Sequence, residues 1–552
     1  MAKQISIRCK NNGQTIHVPL GCTLNDVYNA SGLSLEHGPV SARINNKVQG
    51  LNYRFYNSKD VEFLTLHSPS GMRTYSRTLF FVLAKAVEDL FPGGQLIISA
   101  PVSRGYYCEL RIGRPIRDED AQALLHRMRQ IVAEDLPIHR IQSPIEEAIG
   151  LFRSRGMTSK VQLLETQGSL YTYYYQLENT IDYFYGSLLT RTGQITLFNL
   201  VRLDEGLLLS IPSRTDPSKL ETIIEQPKML GAIREHHQWQ DIMGVRTVGE
   251  FNSAIKAGQA TELINIAEAL QERKITQIAD EIKERGSKLV LIAGPSCSGK
   301  TTSSKRIAIQ LKCVGLRPHT ISTDNYFVNR EDTPKDENGE YDFECIGAMD
   351  TDLFNQQMNQ LLAGEEVELP RYDFPTGRRV YEGNRLRIGP NDVVVLEGNH
   401  ALNPILSAQI PEEQKYRIYV STLTSIALDD HNYVPTVDLR LLRRIVRDFK
   451  YRGYTALETI HRFPSVTRGE EKWIYPYQEN ADATFNSALL YELNVMRDQV
   501  LPILDQVAES APEYSEASRL RKFLHYFVPV PADQVPPTSL LREFAGGSSF
   551  IY

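Results

Sequence analysis

Paired cysteines are missing from this 552-residue chain: the six present (Cys9, Cys22, Cys108, Cys297, Cys313, Cys345) are scattered and show no C-x-x-C spacing. That argues against both a disulfide framework and a zinc knuckle, and a reducing compartment is expected. Also missing is any uninterrupted apolar run of about 18 residues, so no membrane span is expected. The opening MAKQISIRCK lacks the apolar core of a signal peptide. Neither sign of charge dominates. With 61 Lys and Arg against 67 Asp and Glu the net charge is -6, too acidic for a surface that wraps nucleic acid, although a local basic groove stays open. There is no internal repeat and no low-complexity block. Together these absences point to a cytoplasmic globular protein without membrane partners. What is present is ordinary core material: 41% hydrophobic and 23% charged residues, close to the globular average. The length calls for about three to five folding units.

Residues 1–66 alternate apolar and polar positions, turn at Asn11-Asn12-Gly13, enter a short helix after Thr23 and return through strands around Asn45-Asn46 and VEFLTL. So many short strands around one helix predict a β-grasp domain. Residues 67–214 combine helices (TLFFVLAKAVEDLF, DEDAQALLHRMRQIVAEDL) with strands (QLIISAPV, YYCELRI) as an α+β domain whose tyrosine-rich stretch reads as half-buried strands. A helical connector over 215–286, with His236-His237 on its surface, ends at Gly286. From 287 to 525, β-branched runs alternate with helices, the pattern of an α/β domain with a parallel sheet. The tail, 526–552, is rich in Pro, Gly and Ser and is expected to lie along the surface. The fold class is therefore multidomain, a β-grasp plus α+β N-terminal region followed by an α/β domain.

Residues Gly294-Pro295-Ser296-Cys297-Ser298-Gly299-Lys300-Thr301 fit G-x-x-x-x-G-K-[ST], directly after the apolar run LVLIA and at the start of the helix TTSSKRIAIQL, and together with Thr302 they are the expected nucleotide-binding residues. Glycines let backbone N–H groups converge on phosphate oxygens, the helix N-terminus adds its dipole, Lys300 supplies a point charge, and Thr301 offers a hydroxyl to Mg²⁺. In open α/β sheets ligands bind beyond the carboxyl ends of strands. Asp324 follows the strand HTIST and Glu397 ends DVVVLE, each suited to accepting a proton or holding Mg²⁺. Farther on, Arg440, Arg443, Arg444 and Arg447 recur at helical spacing, with Leu441, Leu442, Ile445, Val446 and Phe449 assigned to the opposite face and Arg452 continuing the series. A solvated basic face and a clamp on phosphoryl oxygens are equally open from this pattern.

In order and spacing, GPSCSGKTT, STDNYF, YDF at 341–343, RYDFPTGR, VVVLEG and DLRLLRRIVRDFKYRG resemble the uridine kinase and phosphoribulokinase family across 287–525. The resemblance implies a P-loop kinase that uses ATP and Mg²⁺ to phosphorylate an alcohol group of a nucleoside-like small molecule. Carried over residue by residue, Asp324 is the catalytic base, Glu344 and Tyr372 bind the nucleoside, Arg444, Arg447 and Arg452 are lid arginines, and Glu397 joins Thr301 at the metal. Departures fall on the substrate side: Gly377 stands where uridine-cytidine kinases have a histidine, Glu344-Cys345-Ile346-Gly347 replaces an acid-His-Pro-Asp segment, and Tyr454 replaces a lid arginine.

The strings EFLTLHSPSGMRTYSRTLFFVLAKAVEDLFP and APVSRGYYCEL make 1–66 resemble a TGS domain and 67–214 the second additional domain of threonyl-tRNA synthetases. The four editing-metal positions of that domain are here Arg77, Phe81, Phe184 and Leu188, none a metal ligand. RNA binding by this region, homo-oligomerisation, the preferred base and ATP against GTP as donor stay open. A sugar-phosphate kinase of the phosphoribulokinase type and a nucleotide-switched RNA-binding regulator are the rival readings.

Overall fold

The computed structural model describes residues 3–335 and 339–551. The chain opens with β1 (Gln4–Cys9), β2 (Thr15–Pro19), α1 (Leu24–Ala30), β3 (Ser41–Ile44), β4 (Lys47–Gln49) and β5 (Lys59–Leu64). Their sheet order is β2-β1-β5-β3-β4, with β1 and β5 parallel and the other neighbours antiparallel, a β-grasp. Local chemistry agrees with it. Asn45 and Asn46 take φ of 44° and 61° in the two-residue turn between β3 and β4, and Thr23 and Asp26 cap α1 reciprocally.

There follow α2 (Pro69–Leu90), β6 (Gln95–Val102), β7 (Gly105–Arg111), α3 (Asp118–Ala133), β8 (His139–Pro144), α4 (Ile145–Ser154), α5 (Thr158–Gln167), β9 (Tyr171–Leu177), β10 (Thr180–Asp182), β11 (Asn199–Leu203) and β12 (Gly206–Ser210). Two antiparallel sheets, β11-β12-β7-β6 and β10-β9-β8, enclose the apolar face of α2. The rings of Phe81 and Phe184 meet edge to face at 5.8 Å, with Leu188 in the same core and Arg77 over the ring of Tyr185. The four positions therefore lie in one neighbourhood, where phenyl and isobutyl groups offer no lone pair.

The next three helices, α6 (Pro227–Met243), α7 (Val248–Lys256) and α8 (Ala260–Arg285), correct the expected connector. Ile275, Ile278, Ala279 and Ile282 of α8 share one core with Val290 and Ile292 of the following strand, so α8 is a layer of the C-terminal sheet. His236 is buried rather than on the surface, and desolvation pushes its imidazole down to about 4.

The C-terminal part comprises β13 (Leu289–Ala293), α9 (Lys300–Cys313), β14 (Arg317–Ser322), α10 (Thr351–Leu362), β15 (Val367–Glu368), β16 (Arg371–Asp373), β17 (Arg378–Val380), β18 (Arg385–Leu386), β19 (Asp392–Glu397), β20 (Lys415–Ser421), β21 (Ala427–Asp429), β22 (Asn432–Tyr433), α11 (Thr436–Tyr451), α12 (Ala456–Trp473), β23 (Ala483–Asn486), α13 (Glu492–Leu504), α14 (Tyr514–Leu524) and α15 (Arg542–Ala545). Five strands run parallel in the order β14-β19-β13-β20-β23. Every residue of β13 is buried, as in a sheet covered on both faces. The tail does not lie along the surface: Val530, Val535, Leu540, Leu541 and Phe544 are buried in the main core, since its apolar residues outweigh its prolines and glycines. No helix among the described residues is long and apolar enough to cross a membrane.

The two halves meet around a buried charge cluster. Lys160 of α5 reaches Asp182 of β10 at 2.7 Å and Asp429 of β21 at 2.9 Å, and all three side chains are at most 2% exposed. His431 adds a 2.6 Å contact to Asp182, and Asn432 donates to the Tyr183 carbonyl and to Asp429, both at 2.8 Å. Burial alone would raise the Asp182 carboxyl, but Lys160 and His431 outweigh it and hold the group at about 2. Removing one partner of such a cluster strands a buried charge. Lys160→Met is expected to lose about 3–5 kcal/mol of stability in urea titrations. Because the folded-state pKa of Asp182 lies below its ordinary 3.8, its contribution is present above about pH 4 and is lost as pH falls toward 2. Wild-type stability should therefore drop over that window, and the drop should shrink in Asp182→Asn.

Candidate active site

The loop from Gly294 to Thr301 leaves the central strand β13 and enters α9. Backbone sterics require its glycines. A Cβ on Gly294 would stand 2.4 Å from the Val420 carbonyl oxygen, and Gly299 has φ +83° at the start of α9. Cys297 takes φ +59°, a left-handed conformation that a side-chain-bearing residue adopts only when held there. The hold comes from α11. Arg443 donates to the Cys297 carbonyl at 3.2 Å, and Arg440 to the Ser296 carbonyl at 2.9 Å.

Both arginines are wholly buried, which corrects the reading of a basic face opposite an apolar one. Arg440 pairs with Glu470 of α12, and Arg443 grips Glu492 of α13 bidentately at 2.7 and 2.8 Å. Phe449, assigned to the apolar face, is 41% exposed. Buried carboxylates on neighbouring helices compensate the guanidiniums, so charge and burial do not separate along α11. Glu470 also accepts the Ser296 N–H at 2.7 Å. None of Glu470, Glu492 and Ser487, a further partner of Arg443, had a signal in the sequence, since each acts through distant chain segments.

The remaining arginines face the loop. Arg444 donates to the Ser296 hydroxyl at 3.0 Å. Asp448, 3% exposed, gathers Arg447 at 2.7 Å, Arg444 at 3.2 Å and Arg452 at 3.8 Å. Around them stand the acids at the carboxyl ends of the strands, with Ser322 of β14 beside Glu397 of β19 and Glu397 beside Ile292 of β13. Lys300 donates to the carbonyls of Gly294 and Pro295 at 2.8 and 3.1 Å. Desolvation lowers its ammonium, opposed by Glu397, Asp324 and Glu470. Burial raises Asp324, with Lys300 and Arg452 opposing. Burial likewise pushes Glu397 up to about 7, Lys300 working against the rise and Asp324 adding to it.

Thr301 Oγ1 lies 3.5 Å from Glu397 Oε1. Two crowded carboxylates and a hydroxyl form a hard oxygen donor set, which fits a divalent cation such as Mg²⁺ that takes its other ligands from water and phosphate. Among the described residues no group of three or more His, Cys, Asp and Glu is assembled for a metal. A Mg²⁺ site with one or two carboxylates requires none.

Burial and Glu470 raise Glu344 while Arg444 and Lys300 oppose, so it shares the electrostatic neighbourhood of the loop. Tyr372 is 6% exposed, its ring edge-on to Phe327 at 5.5 Å and Phe374 at 5.2 Å. Arg330 lies against Gly377 so closely that a Cβ there would meet its Nε at 2.7 Å. Arg330 therefore fills the space beside the position where the resembling kinases carry histidine. Sequence spacing could not reveal this replacement, because Arg330 comes from another loop.

Arg443→Met should destabilise the protein by about 3–5 kcal/mol by stranding Glu492, and should weaken nucleotide binding by releasing the Cys297 carbonyl. Urea titration and nucleotide binding measure the two effects. Substituting both Arg443 and Glu492 by Met should recover much of the stability without restoring the affinity.

Comparison with known proteins adds to this geometry. Residues 289–491 match the model of the Phosphoribulokinase / Uridine kinase family. The N-terminal region matches threonine–tRNA ligases. Threonine–tRNA ligase 2 of Bacillus subtilis (strain 168) is 28% identical over 205 residues, 37% of this chain and 32% of that protein. The threonine–tRNA ligase of Methylococcus capsulatus is 29% identical over 183 residues, 33% of this chain and 28% of that protein. This chain thus spans about a third of the length of those curated relatives. A Bacillus stearothermophilus structure described as a possible uridine kinase has 18% identity and a TM-score of 0.27, covering 39% of this chain and 98% of that one. Residues 289–491 thus match the Phosphoribulokinase / Uridine kinase family model and follow an N-terminal region similar to threonine–tRNA ligases.

Proposed function

We propose that the chain is a cytoplasmic kinase that transfers the terminal phosphoryl group of ATP to a hydroxyl of a nucleoside-like small molecule, with 1–66 and 67–214 as a TGS-like and editing-like region, 287–525 as the catalytic domain and 526–552 as the tail. The observation that carries this reading is the gathering of Lys300, Thr301, Asp324 and Glu397 at the carboxyl ends of the parallel strands, beside the phosphate loop. Thr301 and Glu397 would hold Mg²⁺, which would supply charge neutralisation for the phosphates. Asp324, made more basic by burial, accepts the proton of the acceptor hydroxyl. Lys300 and the forked guanidiniums of Arg444, Arg447 and Arg452 offset negative charge on the transferring group. Glu344 accepts hydroxyl hydrogen bonds from the substrate, and Tyr372 with its aromatic neighbours forms an apolar wall.

A nucleoside-like acceptor is favoured over a sugar phosphate by the β16–β17 hairpin that carries Tyr372. Its Arg371, Arg378 and Arg379 are each paired with a carboxylate, Glu382, Glu331 and Asp350, at 2.7, 3.0 and 2.8 Å. Each of these cations has a carboxylate of its own, which leaves little charge for a second phosphate, whereas Arg444, Arg447 and Arg452 share the single Asp448 and keep a net positive charge.

Incubation with Mg²⁺-ATP and a panel of nucleosides and sugar phosphates, read by mass, tests the reading. A nucleoside gaining one phosphate is the expected product, and a panel without any phosphorylated member sinks it. Asp324→Asn should lower turnover by about 10²–10⁴-fold with nucleotide affinity near wild type. Lys300→Ala should also weaken nucleotide binding. Alanine at Arg444, Arg447 or Arg452 should depress turnover more than affinity, as expected for groups that engage phosphate on closure.

A further inference from the structure

The sequence gives the tail no role, yet residues 539–546 return to the phosphate loop. Leu540, Leu541 and Phe544 are at most 1% exposed. Leu540 Cδ2 lies 3.5 Å from the place a Cβ on Gly299 would take. The ring of Phe544 sits under the Arg443 guanidinium at 5.1 Å, and Lys450 donates to the carbonyls of Phe544 and Ala545 at 3.2 and 2.9 Å. Ser539 contacts Tyr491, which also bonds Glu268 of α8. The segment is thus held on both flanks, and its one acidic side chain is aimed at the first turn of α9: Glu543 Oε2 accepts from Thr302 Oγ1 at 2.5 Å. Its charge is felt at Glu397 and at Arg447.

We propose that Glu543 is an internal stand-in for a phosphate, an autoinhibitory carboxylate that occupies the Thr302 hydroxyl and that incoming nucleotide displaces. The physical argument is direct. The N-terminal turn of α9 attracts anions through its N–H groups and dipole, and the Glu543 carboxylate already holds a hydroxyl of that turn, Thr302 Oγ1, that an incoming phosphate would also seek. A bound phosphate and Glu543 are like charges competing for one hydroxyl, so nucleotide binding carries the work of moving the tail. The tail in turn rests on α13 and Arg443, so its displacement is transmitted to the helix that holds the loop. This inference rests on the nucleotide-binding reading of the loop given above.

The test uses the full chain and Mg²⁺-ADP as probe. Glu543→Gln keeps the size and a hydrogen-bonding oxygen but removes the charge, and should bind Mg²⁺-ADP about tenfold more tightly than wild type by calorimetry. In wild type, amides of 539–546 should exchange hydrogen faster once Mg²⁺-ADP is bound. Equal affinity of wild type and variant together with unchanged exchange would overturn the proposal while leaving the nucleotide-site reading intact. Weaker binding by Glu543→Gln would overturn it too, by making the carboxylate a supporting group for the nucleotide. Wild-type protein that binds no Mg²⁺-ADP at all would instead remove the reading of the loop. Should the variant fold poorly, the exchange measurement on wild type still decides.

Discussion

The Lys160 ammonium, held between Asp182 and Asp429 with no solvent to share its charge, is the constraint on which the rest of the arrangement depends. Asp429 belongs to the β21–β22 hairpin, and only two residues separate β22 from α11. Fixing that hairpin fixes where the arginine helix begins. A second tie acts one turn along. Asp438 of α11 takes Arg519 of α14 bidentately at 2.6 Å, Arg519 also bonds Glu516, and Glu516 pairs with Arg73 of α2 at 3.1 Å. The region similar to threonine–tRNA ligases therefore sets the position of α11 from two directions. Buried ionic clusters contribute little net stability compared with apolar packing, but they tolerate few alternative arrangements. That property suits a device whose task is to hold a helix in one place.

From α11 the constraint passes to the phosphate loop. Arg440 and Arg443 use their buried guanidiniums on the carbonyls of Ser296 and Cys297, which accounts for the left-handed backbone at Cys297. Glu470 and Glu492 neutralise them, and Arg444 meets the loop's serine hydroxyl. A loop shaped by an external helix is preorganised before phosphate arrives, and preorganised donors need no further ordering at the moment of binding. The region similar to threonine–tRNA ligases thus makes these contacts to α11 while carrying Arg77, Phe81, Phe184 and Leu188 in its core. What remains of its core packs, and packing is enough to anchor the hairpin.

Much of this was legible in the residues, because local chemistry dictates it. The Asn-Asn turn, the Thr23 cap and the glycine-bounded phosphate loop announce themselves within a few positions, and β13 and β19 read as buried strands from their unbroken apolar runs. The P-loop, Asp324 and Glu397 follow from the rule that open sheets bind ligands at strand ends. What stayed hidden depends on contacts between distant segments. The helical period of α11 placed four arginines but could not tell that Arg440 and Arg443 turn inward, since their acidic partners lie on α12 and α13. Composition made the tail look like surface, whereas five well-spaced apolar residues bury it. The polar character of α8 suggested a connector, but its inward isoleucines complete the sheet's cover. Arg330 against Gly377 is a compensation between loops that spacing cannot encode.

Native-state hydrogen exchange across a denaturant series tests most directly the claim that the two halves form one unit around Lys160. Amides of β9–β10, of the β21–β22 hairpin and of the first turns of α11 should open with one common free energy and one denaturant dependence, and bound Mg²⁺-ADP should raise protection in all three together. If β9–β10 opened at lower denaturant while the hairpin, α11 and the sheet stayed protected, the N-terminal region would be an appendage, and the account of how the loop is held would be contradicted.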